Sequence, residues 1–130
     1  MPLPNDLVAL LKDRAICYLA TTMPDGSPQL TLTWADTDGE HILINTVVGH
    51  QKTRNIERDP RVSVAISSPT DPTHYTQVRG SVVELITDGA AEHIEALSQR
   101  YTGGPYAWWG GREQQRVILR IEPRRTAGTA

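Results

Sequence analysis

The sequence lacks several features that define common protein classes. It has one cysteine, Cys17, in 130 residues, so no intrachain disulfide can form, and a cytoplasmic location is expected. Its formal net charge of −2 gives no overall attraction to nucleic acid or to an anionic membrane. No apolar run approaches the roughly 18 residues that span a bilayer. Residues 1–6 lack a basic stretch followed by an apolar one, so neither a membrane span nor a signal peptide is expected.

Motifs of several enzyme classes are missing as well. The histidines at positions 41, 50, 74 and 93 have no metal-ligand spacing, and one cysteine cannot build a zinc site. There is no Gly-x-Gly-x-x-Gly fingerprint, no Gly-x-x-x-x-Gly-Lys phosphate loop and no Gly-x-Ser-x-Gly elbow. Cys17 lies among apolar residues and is expected to be packed. Glu92 and Glu95 are expected to be solvated on a helix surface. We therefore predict no metal site and name no catalytic residue.

The pattern of apolar residues and turn signals predicts a mainly β protein. Strands that follow one another through short turns favour an antiparallel barrel with helices packed at its ends. The predicted order is α-β-β-β-α-β-β-α-β, with six strands in one domain over residues 1–130. The predicted strands are Ala15–Thr22, Gln29–Trp34, His41–Val48, Arg61–Ser67, Tyr75–Ile86 and Val117–Ile121. The last two helices are predicted over Gly49–Arg58 and Asp88–Tyr101. Residues 36–39 are predicted to form a turn, residues 102–112 a loop, and the chain from Arg124 a frayed tail.

The second predicted strand alternates apolar and polar residues. Leu30, Leu32 and Trp34 share one face. Gln29, Thr31 and Thr33 share the other, and a ring edge rich in donors and acceptors would satisfy these polar groups. A solvent-facing polar strand face gives the same pattern, so both interpretations stay open.

A basic segment follows the third predicted strand. His50, Gln51, Lys52 and Arg54 fall at the start of a short helix, directly after Gly49. Free backbone N–H groups and the helix dipole favour anions there, and lysine and arginine side chains add charge suited to phosphate. The segment therefore predicts a phosphate site, although a solvated basic face is equally compatible with it.

The same segment resembles the pattern of a known family. Lys52-Thr53-Arg54-Asn55-Ile56 and Asp59-Pro60-Arg61-Val62 look like the lysine-x-x-asparagine-aliphatic, x-x-x-proline-x-valine pattern of the pyridoxamine-phosphate-oxidase-like split-barrel flavoproteins. Leu19–Thr22 with Asp25–Pro28 resembles the first hairpin of that family, and Tyr75–Val82 its long fifth strand. Within the superfamily the chain looks most like the actinobacterial reductases that use the deazaflavin coenzyme F420.

The resemblance implies a split barrel, a cofactor and a set of residues that bind it. The cofactor would be coenzyme F420, or alternatively FMN, with its phosphate at the helix after the third strand and its ring along the second and third strands. The implied cofactor-binding residues are Gln29, Thr31, Leu32, Thr33, Ile44, Asn45, Thr46, His50, Gln51, Lys52, Arg54 and Asn55. Many relatives carry arginine where His50 stands, and histidine is only partly charged near neutral pH.

The resemblance also implies a homodimer with a cofactor site shared across a two-fold interface. His74, Tyr75 and Arg79, together with the loop residues Trp108 and Trp109, are candidates to cover the ring or the substrate from the second subunit. The tryptophans, with Tyr106, would form either a stacking lid or a small satellite core. If a side chain donates a proton to a substrate, His74 or Tyr75 is the first candidate.

Four functions follow as alternatives. The first is a deazaflavin-dependent reductase of a small conjugated substrate such as a quinone, enone or tetrapyrrole, in which Arg58 or Arg61 would suit the acidic tail of the cofactor. The second is an FMN-binding protein or FMN-dependent oxidoreductase. The third, pyridoxamine 5′-phosphate oxidase itself, is disfavoured because the chain ends soon after Arg124-Arg125. The fourth, a nucleic-acid- or partner-binding module, is disfavoured for nucleic acid by the net negative charge.

Overall fold

A computed structural model describes residues 2–128 and contains three helices and seven strands within them. The elements in chain order are α1 (Asn5–Leu11), β1 (Ile16–Thr22), β2 (Pro28–Thr33), β3 (Ala35–Thr37), β4 (Ile42–Val47), α2 (Gln51–Arg58), β5 (Arg61–Ser67), β6 (Tyr75–Ile86), α3 (Ala90–Thr102) and β7 (Arg116–Gly128). The mainly β, antiparallel class predicted from the sequence is confirmed. The prediction of a single domain over 1–130 includes residues 1, 129 and 130, which lie outside the described residues, and it stays a prediction.

The seven strands form one antiparallel sheet in the order β2-β1-β5-β6-β7-β4-β3. Its two edge strands, β2 and β3, are separated in sequence by Trp34 alone. One residue cannot cross the width of a flat seven-stranded sheet, so the sheet must curl until its edges meet. The result is a barrel that is split at Trp34, because β2 and β3 approach without pairing.

The number of strands differs from the prediction of six. Residues 36–39 are not simply a turn: β3 pairs with β4, with Ala35 opposite Ile44 and Thr37 opposite Ile42. The turn lies between β3 and β4, where Asp38 Oδ1 accepts hydrogen bonds from the backbone N–H groups of Glu40 and His41. A three-residue strand is too short to produce a recognisable alternation, which is why the pattern indicated only a turn.

The C-terminal tail is also different from the prediction. Residues 124–128 are not frayed, because β7 continues to Gly128 and pairs with Thr76–Arg79 of β6; the last two residues of the predicted tail lie outside the described residues. The twelve-residue β6 offers backbone groups along its whole length, and the tail supplies their partners. The extra length requires a bulge between Arg79 and Gly80. A Cβ at Gly80 would lie 2.3 Å from the Glu122 carbonyl oxygen, so only glycine fits there.

The core fills the barrel and continues under α1. Leu11, Leu19, Ile44, Leu119 and Ile121 are each fully buried in it. Cys17 belongs to the same core, and burial raises the pKa of its thiol to about 11, so it stays a protonated packing residue. None of the helices in the described part of the chain has the length and hydropathy needed to cross a membrane.

Candidate functional site

A cavity of about 580 Å³ opens at the split of the barrel. This volume lies within the range of small-molecule and cofactor sites. The cavity lies between the ends of β1 and β2, the strand β4, the helix α3 and the loop that precedes β7. Its lining residues are Arg14, Ala15, Ile16, Leu32, Thr33, Trp34, Asn45, Thr46, Val47, His50, Lys52, Ile94, Tyr101, Tyr106, Trp109 and Arg116.

Four basic residues, Arg14, His50, Lys52 and Arg116, line this cavity. The last three, whose charges act on one another, are called here the cationic cluster. No aspartate or glutamate of residues 2–128 belongs to the lining. None of the ion pairs within residues 2–128 involves these three side chains. The hydrogen bond that Lys52 Nζ makes is to the neutral Thr31 hydroxyl, at 3.4 Å. The cluster therefore has no counter-charge of its own.

The missing counter-charge is visible in the proton affinities of the cluster. Burial, and then the charge of Arg116, lower the pKa of Lys52. Burial, followed by the charges of Lys52 and Arg116, lowers the pKa of His50. Burial also lowers the pKa of Arg116, although a guanidinium stays protonated in proteins. Each charged form is thus disfavoured by its surroundings, and a bound anion would reverse the effect.

Helix α2 places Lys52 and His50 at the cavity because its first turn is fixed to β4. Gly49 has a φ of 88°, which lets the chain reverse between β4 and the helix. The Thr53 hydroxyl then donates to the Val47 carbonyl oxygen at 2.7 Å. No side chain caps the helix N terminus at His50. The free N–H groups of the first turn therefore add to the anion-attracting character of this wall.

Asn55 anchors the other side of α2. Its side chain is fully buried, and Nδ2 donates to Thr21 Oγ1 at 3.0 Å and to Gln29 Oε1 at 3.3 Å. Its Oδ1 accepts from Gln51 Nε2 at 2.8 Å. The asparagine of the recognised pattern therefore joins the helix to the first hairpin and does not line the cavity.

The cavity also has an aromatic wall, formed by Trp34, Tyr101, Tyr106 and Trp109. Trp34 stacks on Tyr101 with ring centroids 5.2 Å apart and planes 12° from parallel. The Tyr101 hydroxyl donates to the Ala15 carbonyl oxygen at 2.8 Å and accepts from the Ala35 N–H at 3.1 Å. Tyr101 thus bridges the two sides of the split, where β2 and β3 do not pair.

The glycine-rich loop before β7 contains one packed tryptophan and one exposed tryptophan. Trp108 Nε1 donates to Glu95 Oε1 at 2.8 Å, and the Tyr106 N–H donates to the other oxygen of that carboxylate. Trp109 is 79% exposed, yet it lines the cavity and meets the Tyr106 ring edge-on at 5.4 Å. Glu95 is therefore not simply solvated: it anchors the loop, and those two hydrogen bonds lower the pKa of its carboxyl group.

The structure brings together some of the residues predicted for the site. Those that line the cavity are Leu32, Thr33, Asn45, Thr46, His50, Lys52 and Trp109. Thr31 lies beside it, hydrogen-bonded to Lys52. The Thr33 hydroxyl is buried without a hydrogen-bond partner within residues 2–128.

The remaining predicted residues do not line the cavity of their own chain. Ile44 belongs to the core, and the Trp108 ring meets the Tyr106 ring edge-on. Away from the cavity, one series of side-chain hydrogen bonds joins Arg54, Gln51, Asn55 and Gln29 between α2 and the first hairpin. His74, Tyr75 and Arg79 lie at or near the start of β6, and Arg79 lines a separate groove with Arg124 and Arg125. Their assignment to the second subunit stays a prediction.

Sequence reasoning missed several residues of the cavity. Arg116 lies before the predicted last strand and reaches the cavity because β7 pairs with β4, with Arg116 opposite Val47. That pairing joins distant segments and leaves no local signal. Also missed were Arg14, Ala15, Ile16, Val47, Ile94 and Tyr101, while Trp34 and Tyr106 were noted without a position in the cavity.

Comparisons with known proteins agree with this geometry. A family model described as pyridoxamine 5′-phosphate oxidase matches residues 3–129. A solved structure described as an F420 reductase is 31% identical, with a TM-score of 0.82 over 96% of this chain and 98% of the other. A conserved hypothetical protein from Mycobacterium tuberculosis is 30% identical, with a TM-score of 0.71 over 98% of this chain and 84% of the other. General Stress Protein 26 from Bacillus anthracis shares the fold at 18% identity, with a TM-score of 0.69 over 92% of this chain and 88% of the other.

Proposed function

The chain belongs to the pyridoxamine 5′-phosphate oxidase family, and from this premise we propose that it is an oxidoreductase that uses the deazaflavin coenzyme F420. It would transfer a hydride to a small conjugated substrate such as a quinone, an enone or a tetrapyrrole. The similarity to a protein described as an F420 reductase supports the choice of cofactor. FMN is the alternative, because its phosphate and ring make the same demands on the site.

The observation that carries the proposal is the pairing of two unlike walls in one cavity. The cationic cluster has no carboxylate near it and suits a phosphate group. The aromatic wall offers flat apolar surface to a conjugated ring, and Thr33 and Thr46 add hydroxyl groups for its polar edge. The donor set therefore fits a molecule that joins a phosphate to a planar ring system.

The residues of the chain would bind and orient the cofactor and would not perform the chemistry themselves. Lys52 and Arg116 would hold the phosphate, with His50 beside them. When bound, the cofactor would supply the hydride, so the site needs no nucleophile or metal of its own. The aromatic wall would exclude water from the ring.

A second copy of the chain would complete the cavity. Leu30 and Leu32 of β2 are each 65% exposed, and Tyr18 opposite Leu32 on β1 is 42% exposed. Leu32 belongs to this exposed apolar face and also lines the cavity. A partner subunit that covered the face would bury the leucines and close the cavity. In such a homodimer His74, Tyr75 and Arg79 would act from the partner subunit.

The test is a fluorescence titration of the cofactor-free protein with coenzyme F420 and FMN side by side. We expect micromolar binding of F420 and weaker binding of FMN. Lys52→Ala should weaken binding by about 1.5–3 kcal/mol, which is roughly 10- to 150-fold, the scale of a charge-assisted contact.

Lys12→Ala is the matched control, since Lys12 is the other lysine of the sequence, lies outside the cavity and pairs with Asp36. It should change affinity less than about twofold. Equal affinities of Lys52→Ala and the wild-type protein would show that the phosphate lies elsewhere. Tighter binding of FMN than of F420 would select the alternative cofactor.

A further inference from the structure

The guanidinium group of Arg116 is held in the cavity by neutral partners. Its Nε donates to Asn45 Oδ1 at 2.9 Å, and Nη1 donates to the Tyr106 hydroxyl at 3.2 Å. The group also lies over the Tyr106 ring, 5.3 Å from the centroid. These contacts orient the arginine without neutralising it, so its charge stays available to an anion.

The orientation of the Asn45 amide is fixed by its other contacts. Asn45 Nδ2 donates to the Ala90 carbonyl oxygen at 2.8 Å and lies 3.0 Å from His93 Nδ1. If the Asn45 amide were reversed, its NH₂ group would face the Nε–H donor of Arg116. Its oxygen would then face the Ala90 carbonyl oxygen, so that neither hydrogen bond could form. Only the observed orientation directs Oδ1 at Arg116, and both hydrogens of Nδ2 are then used.

The same geometry decides the tautomer of His93. Because Nδ2 of Asn45 can only donate, His93 Nδ1 must accept and carries no proton. The ring proton is then on Nε2, which donates to Asp36 Oδ2 at 3.0 Å. The groups that face His93 are Asp36 on β3 and Asn45 on β4. Lys12, directly after α1, and Arg100 of α3 contact the same Asp36 carboxylate, and Arg116 of β7 lies behind Asn45.

We propose that His93 is a positioning residue for Arg116, the guanidinium group that would contact an anion in the cavity. Asp36 and Asn45 both favour the tautomer of His93 in which Nδ1 accepts. That acceptor, together with the Ala90 carbonyl oxygen, holds Asn45 Nδ2 and so keeps Oδ1 directed at Arg116. His93 does not line the cavity and would touch no ligand. The proposal rests on the proposed function for the role of Arg116 in cofactor binding, but the chain of hydrogen bonds exists in the free protein.

A double-mutant cycle on cofactor affinity tests the proposal. His93→Leu removes both ring nitrogens and should weaken binding of the preferred cofactor, F420 or FMN, by about 5- to 20-fold, because Asn45 loses one of the two acceptors that hold its Nδ2. Arg116→Ala should weaken it by roughly 10- to 100-fold. In the Arg116→Ala background, His93→Leu should add less than about twofold. His93→Asn, which keeps an acceptor near the position of Nδ1, should restore most of the affinity.

Nuclear magnetic resonance of the ligand-free protein gives a second readout. The Nε–H of Arg116 should exchange slowly with water in the wild-type protein and in His93→Asn, and quickly in His93→Leu. The ¹⁵N spectrum of His93 should show a bare Nδ1 and a protonated Nε2. Equal exchange in the wild-type protein and His93→Leu, or a full effect of His93→Leu in the absence of Arg116, would overturn the proposal. Failure of the wild-type protein to bind either cofactor would instead remove the proposed function and leave the exchange measurement decisive for His93.

Discussion

Two groups of basic side chains lie in this small protein, and they are arranged in opposite ways. Lys12, His93 and Arg100 surround the Asp36 carboxylate, with nitrogen-to-oxygen distances of 3.1, 3.0 and 2.7 Å. In the part of the chain that the structure describes, no carboxylate takes the corresponding place in the cationic cluster of the cavity. The first group stabilises the fold by itself, whereas the second leaves its charges for a ligand.

The proton affinities reflect the difference. Burial by itself would raise the pKa of Asp36, but hydrogen bonds from His93, the Thr37 backbone, Lys12 and Arg100 outweigh it and hold that pKa well below its usual range. In the cavity, burial and mutual repulsion lower the pKa values of His50 and Lys52. The surroundings of Asp36 favour its charged form, whereas those of His50 and Lys52 disfavour theirs. Uncompensated charge of this kind is typical of binding sites.

The largest expected effect comes from removing the centre of the paired group. Asp36→Asn should lower the free energy of unfolding at pH 7 by about 3 kcal/mol, because it leaves Arg100 and Lys12 without their counter-charge. Since the folded pKa of Asp36 lies below the ordinary value of 3.8, its contribution is complete above that pH and is lost as the pH falls further. Urea unfolding at pH 7 and pH 3 measures the loss of stability and its dependence on pH. The same difference in unfolding free energy between variant and wild type at the two pH values would contradict the role given to the Asp36 carboxylate.

The next effect compares one cation from each group. Arg100→Met removes bonds to the Leu11 and Ala35 carbonyl oxygens and to Asp36, and should cost about 2 kcal/mol of stability. Lys52→Met removes a repelled charge while keeping the side-chain stem, and should leave stability unchanged or raise it by up to about 1 kcal/mol. Urea unfolding of both variants decides the comparison. Comparable losses would mean that Lys52 is a structural residue.

The contrast also explains how far the sequence could predict the molecule. The basic segment after the third predicted strand, which is β4, could be predicted because His50 and Lys52 lie two residues apart next to a helix start. Most strands could be predicted from their alternation. Arg116 could not, because it joins the cationic cluster only through the pairing of β4 with β7, more than 60 residues apart in sequence. For Asp36 the sequence predicts only a turn residue, since nothing local places Arg100 and His93 around it.

The aromatic wall shows the same limit. The sequence left open whether Trp108 and Trp109 form a lid or a packed cluster. In the structure Trp108 is packed against Glu95, whereas Trp109 is exposed and lines the cavity, and its role as a lid stays a prediction. The decision depends on Glu95, whose carboxylate accepts from Trp108 and so leaves Trp109 at the cavity. A glutamate on an amphipathic helix gives no sign of a partner 13 residues later, because tertiary contacts determine it.

The smallest expected effect concerns His50, because histidine is the one residue type in the cationic cluster whose ordinary pKa is close to neutral pH. In the free protein its pKa lies below 6.5 because of burial and the neighbouring Lys52 and Arg116. A bound phosphate would favour the imidazolium and raise that pKa, so binding takes up a proton. Affinity should therefore rise as the pH falls from the pKa of His50 in the complex to its pKa in the free protein.

We expect the wild-type protein to gain about 3- to 10-fold in affinity over His50→Gln between pH 8 and pH 5.5. Comparing the two proteins with one ligand cancels titration of the phosphate itself. Parallel pH profiles would show that His50 stays neutral beside the ligand, which would leave Lys52 and Arg116 as the charges that hold the anion.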